Sequence, residues 1–468
     1  MRLRFIFFDN AHILWSALFL LYITGCDDAS VSRNKSHRLA TTFKGMYAVV
    51  VDLHEAKVGG TLFYIEKSDG QWNLKQTICL YDILVNHSPL AVECNDQWIV
   101  VTCIPRHRDD EGKILLFKKT DAMWELVPTP ACMSGFKFYP NLLGVGELAK
   151  SIALSNNNQL FIAQKYNEQG KVFRFDLNAK PIILRETIRP PDVNVVRSST
   201  DGFGFGSKLF LTDNIMITED TGVAFSTEEI TQYGLTQDDL DGFRVNDTLR
   251  PVNRDSILAY KLNRETDRWE FITDFYKQLP HPPGGILRRP VPSSNNAKKS
   301  KQIHRFERIS SFQMINSNRM VLGISSLFYP FKTEDGSFWK PENQFTLHPR
   351  IYNEGSSLEI GEKYSIVFYK NTGYFEVYLF EGLETGESLW KIAFDTQHIP
   401  RIERNSRIQK YATEFKIVNN SIFAYYLVRT HKPDTKVSFT VGRIVIYDID
   451  DKDGLKESFC MELPSTEH

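Results

Sequence analysis

Residues 201–220 read DGFGFGSKLFLTDNIMITED. Two short apolar runs, Ser207–Leu211 and Ile215–Thr218, flank the polar turn Thr212-Asp213-Asn214. Apolar runs bounded by turn residues predict two antiparallel strands. Such a hairpin is marginal in water by itself and has to stack on others to bury its faces. Its second strand recurs along the chain: YAVVVDL from Tyr47, WIVVTCI from Trp98, LFIAQKY from Leu160, IMITED from Ile215, MVLGISS from Met320 and IFAYYLV from Ile422. Each follows a turn containing Asn, Asp or Gly, residues that tolerate the left-handed backbone of tight hairpins.

Each copy continues in the same way. A third strand follows as TLFYIEK from Thr61, KILLFKK from Lys113, KVFRFDL from Lys171, SILAYKL from Ser256, YSIVFYK from Tyr364 and RIVIYDI from Arg443. A fourth is often opened by tryptophan, as in QWNLKQTI from Gln71, MWELV from Met123 and RWEFITDF from Arg268; repeat five has YFEVYLFE from Tyr374. Four antiparallel strands repeated along one chain predict an all-β fold, a single β-propeller over residues 39–463. Six blades are counted. The apolar stretch SLWKIAF from Ser388 is left over and allows a seventh. Leu39–Phe43 would begin blade one and meet the last blade, which ends near Leu463, with 464–468 as a tail.

The order of strand, Asp/Asn turn, strand, loop and Gly-led strand is similar to the FG-GAP repeats of integrin-α-type propellers. Phe205-Gly206-Ser207 followed by LFLTDNIMITED is the best match, and Gly60, Gly112 and Gly170 fit the glycine before the third strand. The Gly-Ala-Pro end of the motif and its acidic calcium loop are absent from every copy. Residues 448–454 (DIDDKDG) gather carboxylates, but setting Gly454 at the sixth position of a DxDxDG loop puts Ile449 at the first ligand position. A plain hairpin is expected there, and no metal or cofactor is assigned.

The N-terminus has its own logic. Arg2 and Arg4 precede the apolar run Ile13–Ile23, which is short for a membrane span and reads as a secretory signal. Ile23-Thr24-Gly25-Cys26 resembles the lipobox of bacterial lipoproteins. The resemblance implies a signal peptide over 1–25, lipidation of Cys26, a polar tether over 26–38 and anchoring to a membrane of the cell envelope. Asp27 and Asp28 resemble an inner-membrane retention signal; outer-membrane or surface anchoring is the other placement, and plain secretion is the alternative. The sequons at Asn246 and Asn419 fit a secreted eukaryotic integrin-like chain instead.

The chain has 468 residues, a formal net charge of −1 and aromatic-rich composition, so nothing global steers it toward nucleic acid. Besides Cys26 there are Cys79, Cys94, Cys103, Cys132 and Cys460, an odd number without a CxxC pair or Cys/His cluster. A zinc site is not expected; most of these thiols fall in predicted strands and read as core residues.

Extra length is not scattered. It falls between second and third strands (221–255, 327–363, 429–442) and between fourth and next first strands (276–305, 382–410). Antiparallel alternation brings both kinds of connection to one end of the propeller. Long loops there are the candidate binding face. One is acidic and partly helical, with Asp238 and Asp239. One is basic, with Arg288 and Arg289. The third is aromatic, with Tyr329, Phe331, Phe338 and Trp339. The expected function is a binding or assembly module for a protein or glycan partner. The alternative is a glycan hydrolase with carboxylates at the channel mouth. No GxSxG, HExxH or P-loop motif is present, and no catalytic residue is assigned; His281, His304 and His348 fall in the long loops.

Overall fold

The computed structural model describes residues 38–467 with interruptions; the larger segments outside it are 1–37, 54–59, 106–111, 135–151, 165–169, 192–204, 233–242, 291–299, 347–355, 382–388, 395–408 and 432–437. Cys26, Asp238 and Asp239 lie outside the described residues. Seven four-stranded antiparallel sheets follow one another over residues 38–79, 87–127, 152–188, 209–274, 309–341, 356–394 and 409–462. Within each, the strands are hydrogen-bonded in chain order. The fold is a seven-bladed β-propeller, all-β as expected, with one blade more than the six counted. No helix among the described residues is long and apolar enough to cross a membrane.

The additional blade comes from the aromatic segment 327–363, which the sequence suggests is a loop. Leu327–Thr333 is the third strand of blade five and Trp339–Pro341 its fourth. Ser356–Ile360 then opens blade six, Tyr364–Tyr369 and Tyr374–Glu381 are its second and third strands, and Leu389–Phe394 is its fourth. Pro330 hides the blade-five strand in the sequence, because proline cannot donate to a ladder. The outer edge changes hands at this residue: Phe345 and Thr346 pair with Phe328 and Leu327, whereas Pro341 pairs with Phe331. Pro330 sits between those half-edges, and its carbonyl accepts from Glu342 N at 2.8 Å.

The core lies between blades, where facing sheets interdigitate. Val49, Leu62 and Tyr64 of blade one pack with Val101, Phe117 and Trp124 of blade two. Phe161 and Val172 of blade three pack with Met216 and Trp269 of blade four. The Trp-led strands have one shared use: Trp124 meets Tyr64 edge-on at 5.3 Å and Trp269 meets Phe161 at 5.4 Å, each ring resting on the preceding blade. Cys94 and Cys103 are buried as expected; Cys79, Cys132 and Cys460 are exposed, and none of the five is in a disulfide.

The opening hairpin is the inner edge of blade four. Leu209–Leu211 pairs with Ile217, Met216 and Thr218, and Thr212 Oγ1 accepts from Ile215 N at 3.1 Å across the turn. Gly206 has φ +92°, and a Cβ there would lie 2.6 Å from the Ala163 Cβ of blade three. The glycine is a point of close approach between blades. The acidic segment at 448–454 is a hairpin end in which Asp450 pairs with Gly454.

Candidate functional site

Second-to-third and fourth-to-first connections emerge at one end of the ring, as strand alternation requires. That end carries the elements added to the blades. Between the second and third strands of blade four lie the helix Thr227–Gln232 and a two-stranded ribbon, Phe243–Val245 with Thr248–Arg250. Between blades four and five stands a second ribbon, Gly284–Pro290 with Ser300–Phe306. In blade seven the second and third strands lengthen to 11 and 13 residues, and Thr466–Glu467 adds to the projecting edge. The opposite end has tight turns, with Asp69, Asp121 and Asp267 at φ 53°, 50° and 52° in three of the third-to-fourth turns.

The aromatic candidates separate by burial. Phe331 and Trp339 are 0% and 1% exposed, locked with Phe275 at ring distances of 4.9 and 5.3 Å between blades four and five. Tyr329 is half-buried against the same cluster. Phe338 is 66% exposed, but it lies in the third-to-fourth connection of blade five, at the tight-turn end, with Lys340 Nζ 5.9 Å from its ring. The structure therefore does not gather these four rings on the long-loop end. Arg288 and Arg289 do stand there, on the second ribbon, where Arg289 is the register partner of Lys301 and Arg288 of Gln302.

Among the described residues, charged groups are held by protein partners, some between blades and some within one. Glu93, 3% exposed, takes Lys44 Nζ at 2.9 Å and Thr42 Oγ1 at 3.4 Å. Lys416 Nζ donates to Thr41 O at 3.0 Å and pairs with Glu414 at 2.8 Å. In blade four, Ser256 Oγ donates to buried Asp274 at 3.1 Å, while the other Asp274 oxygen accepts from Tyr276 N. These carboxylates already have protein partners. Among the described residues, no group of three His, Cys, Asp or Glu side chains is gathered as a metal site requires.

A second feature lies at the tight-turn end, a groove of about 560 Å³ bordered by Gly45, Met46, Lys67, Lys363 and Asn419. It covers the junction between the last blade and the first. Beneath it Asp448 accepts from Ser421 Oγ at 2.6 Å, Lys67 Nζ at 3.0 Å and Trp72 Nε1 at 3.4 Å. Burial raises the Asp448 carboxyl, but hydrogen bonds from Ser421 and Lys67 outweigh it and hold the group below the usual carboxylate range. The arrangement is repeated one blade on. Lys119 pairs with Glu66 at 3.5 Å and lies 5.6 Å over Trp124, as Lys67 lies 5.6 Å over Trp72. Chain-distant residues make both clasps, so only the W-led strands signal them in the sequence.

No protein-family model matches this chain, and no curated protein matches it. Among solved structures it is similar to the polysaccharide lyase Uly1, with a TM-score of 0.45 and 9% identity over 89% of this chain and 91% of that one. A functionally unknown protein from Desulfotomaculum acetoxidans follows at TM-score 0.36 and 12% identity, covering 76% of this chain and 85% of the other. A puromycin-hydrolyzing peptidase from Mycobacterium tuberculosis has TM-score 0.40 and 9% identity over 92% of this chain and 54% of its own, so this chain spans about half its length. The propeller's distant structural neighbours thus include hydrolases and lyases. At these scores the likeness carries no functional argument.

Proposed function

We propose that this propeller is a lipid-anchored binding or assembly module of the bacterial cell envelope, working through its long-loop end. The reading rests on the placement of the added elements, which crowd one end while the other keeps tight turns. Ile23-Thr24-Gly25-Cys26 supports the anchor, and residues 26–38 would tether it to the first strand. The FG-GAP resemblance belongs to the same reading, as a kinship of repeat pattern.

The second ribbon favours an anionic partner. Residues 284–306 hold Arg288, Arg289, Lys298, Lys299, Lys301 and Arg305 and no Asp or Glu, in a chain of net charge −1. Arg289 stands opposite Lys301. A run of cations with no carboxylate among them in the sequence suits an anionic partner. Replacing 284–306 by a short Gly/Ser linker is expected to leave the melting temperature within about 2 °C. The same change should abolish binding of the purified chain to an anionic polysaccharide or an acidic peptide, tested separately by calorimetry. Undiminished binding would overturn the ribbon's role, and depolymerisation of the polysaccharide would replace the binding reading with the hydrolase. Mass spectrometry of the N-terminal peptide tests the anchor; an unmodified Cys26 would sink it.

A further inference from the structure

Six of the seven seams between blades are crossed by the chain, because each fourth strand leads into the next first strand. The seam between 409–462 and 38–79 is not. Each of these blades is built entirely from one end of the described chain, with no strand exchanged between them. Among the described residues, side chains close the ring here, as Phe43, Trp72 and Phe63 pack on Phe423, Tyr425 and Ile444. Other seams also carry side-chain straps onto backbone. Gln76 accepts from Trp124 N at 2.7 Å and donates to Trp124 O at 3.0 Å. Glu186 accepts from Trp269 N at 3.2 Å, and Gln313 makes two such bonds to Ile360, at 2.7 and 2.9 Å. At the closing seam Lys416 Nζ reaches Thr41 O at 3.0 Å, and Lys67 and Trp72 converge on Asp448. The groove of about 560 Å³ lies above that seam at the tight-turn end.

We propose that Asp448 is the latch of the ring, and that the seam it closes is the first part of the propeller to open. Parting there breaks no strand ladder and leaves the chain continuous, whereas every other seam is tied by a connection. The opening frees the first and last blades and gives the central channel a lateral way out to solvent. Trp72 Nε1 is held by Asp448, while the Nε1 atoms of Trp124 and Trp269 have no hydrogen-bond partner among the described residues. The tryptophan of the closing seam is thus singled out for a polar hold.

Native-state hydrogen exchange tests the latch, with the sister clasp as an internal control. Asp448→Asn should speed exchange about tenfold in 38–79 and 409–462 and leave 152–274 unchanged. Lys67→Met, which keeps Ser421 and Trp72 on the carboxylate, should act at the same strands to a smaller extent, and it serves if Asp448→Asn does not fold. Glu66→Gln, at a seam tied by the chain and by Gln76, should change little. Unchanged exchange in both closing-seam variants, a uniform rise over all blades, or an equal effect of Glu66→Gln would overturn the proposal.

Discussion

A side chain at position 206 has nowhere to go. The backbone there is left-handed and its missing Cβ would overlap Ala163 of the neighbouring blade. Gly206→Ala should therefore lose about 1–3 kcal/mol of stability, read from denaturant midpoints; an unmoved midpoint would mean that blades three and four can separate without cost. Asp448 makes a different prediction at the same scale. Its folded pKa is depressed, so its contribution is fully present above the unfolded value of about 3.9 and is lost as pH falls through the folded value. Asp448→Asn should be less stable than the parent near neutrality, and the gap should narrow below about pH 4. A gap that stays constant from neutral to acid pH would show that the charge is not what matters.

At the scale of elements, the blades solve the problem of their exposed edges in two ways. Five outer strands carry a bulge at a corresponding place, leaving Lys75, Arg185, Ile272, Ala393 and Ser458 without a register partner. The remaining two outer strands are only 5 and 3 residues long. Bulged or short edges resist pairing with another chain. The bulge also brings Gln76 and Glu186, each the next residue along, to the tryptophan backbone of the following blade. Removing that strap with Gln76→Ala should cost about 1–2 kcal/mol for two hydrogen bonds. Deleting 327–346 would take half of blade five and the buried rings of Phe331 and Trp339, so loss of the folded state is expected by circular dichroism. A folded deletion product would restore this segment to the status of a loop.

For the whole molecule, closure is the condition of stability. A chain ending at Phe394 lacks blade seven and leaves Phe43, Trp72 and the far face of blade six uncovered. Such a truncation should bind a hydrophobic dye and lose cooperative unfolding; a sharp, dye-silent transition would mean that six blades can close. The repeat itself was legible in residues: DGFGFGSKLFLTDNIMITED and its sisters determine strand, turn and strand through short-range chemistry, with Asp, Asn and Gly at the left-handed positions. That local grammar determines the all-β class, the blade as a unit and the end at which long connections emerge. It misplaces blade five, because Pro330 is tolerated only where two short edge strands meet, a fact of pairing between residues distant in the chain. Which aromatics are core and which are surface, where the bulges fall, and the closing of the ring on Asp448 were decided by tertiary structure alone. Each depends on what the neighbouring blade presents, and that neighbour can lie hundreds of residues away.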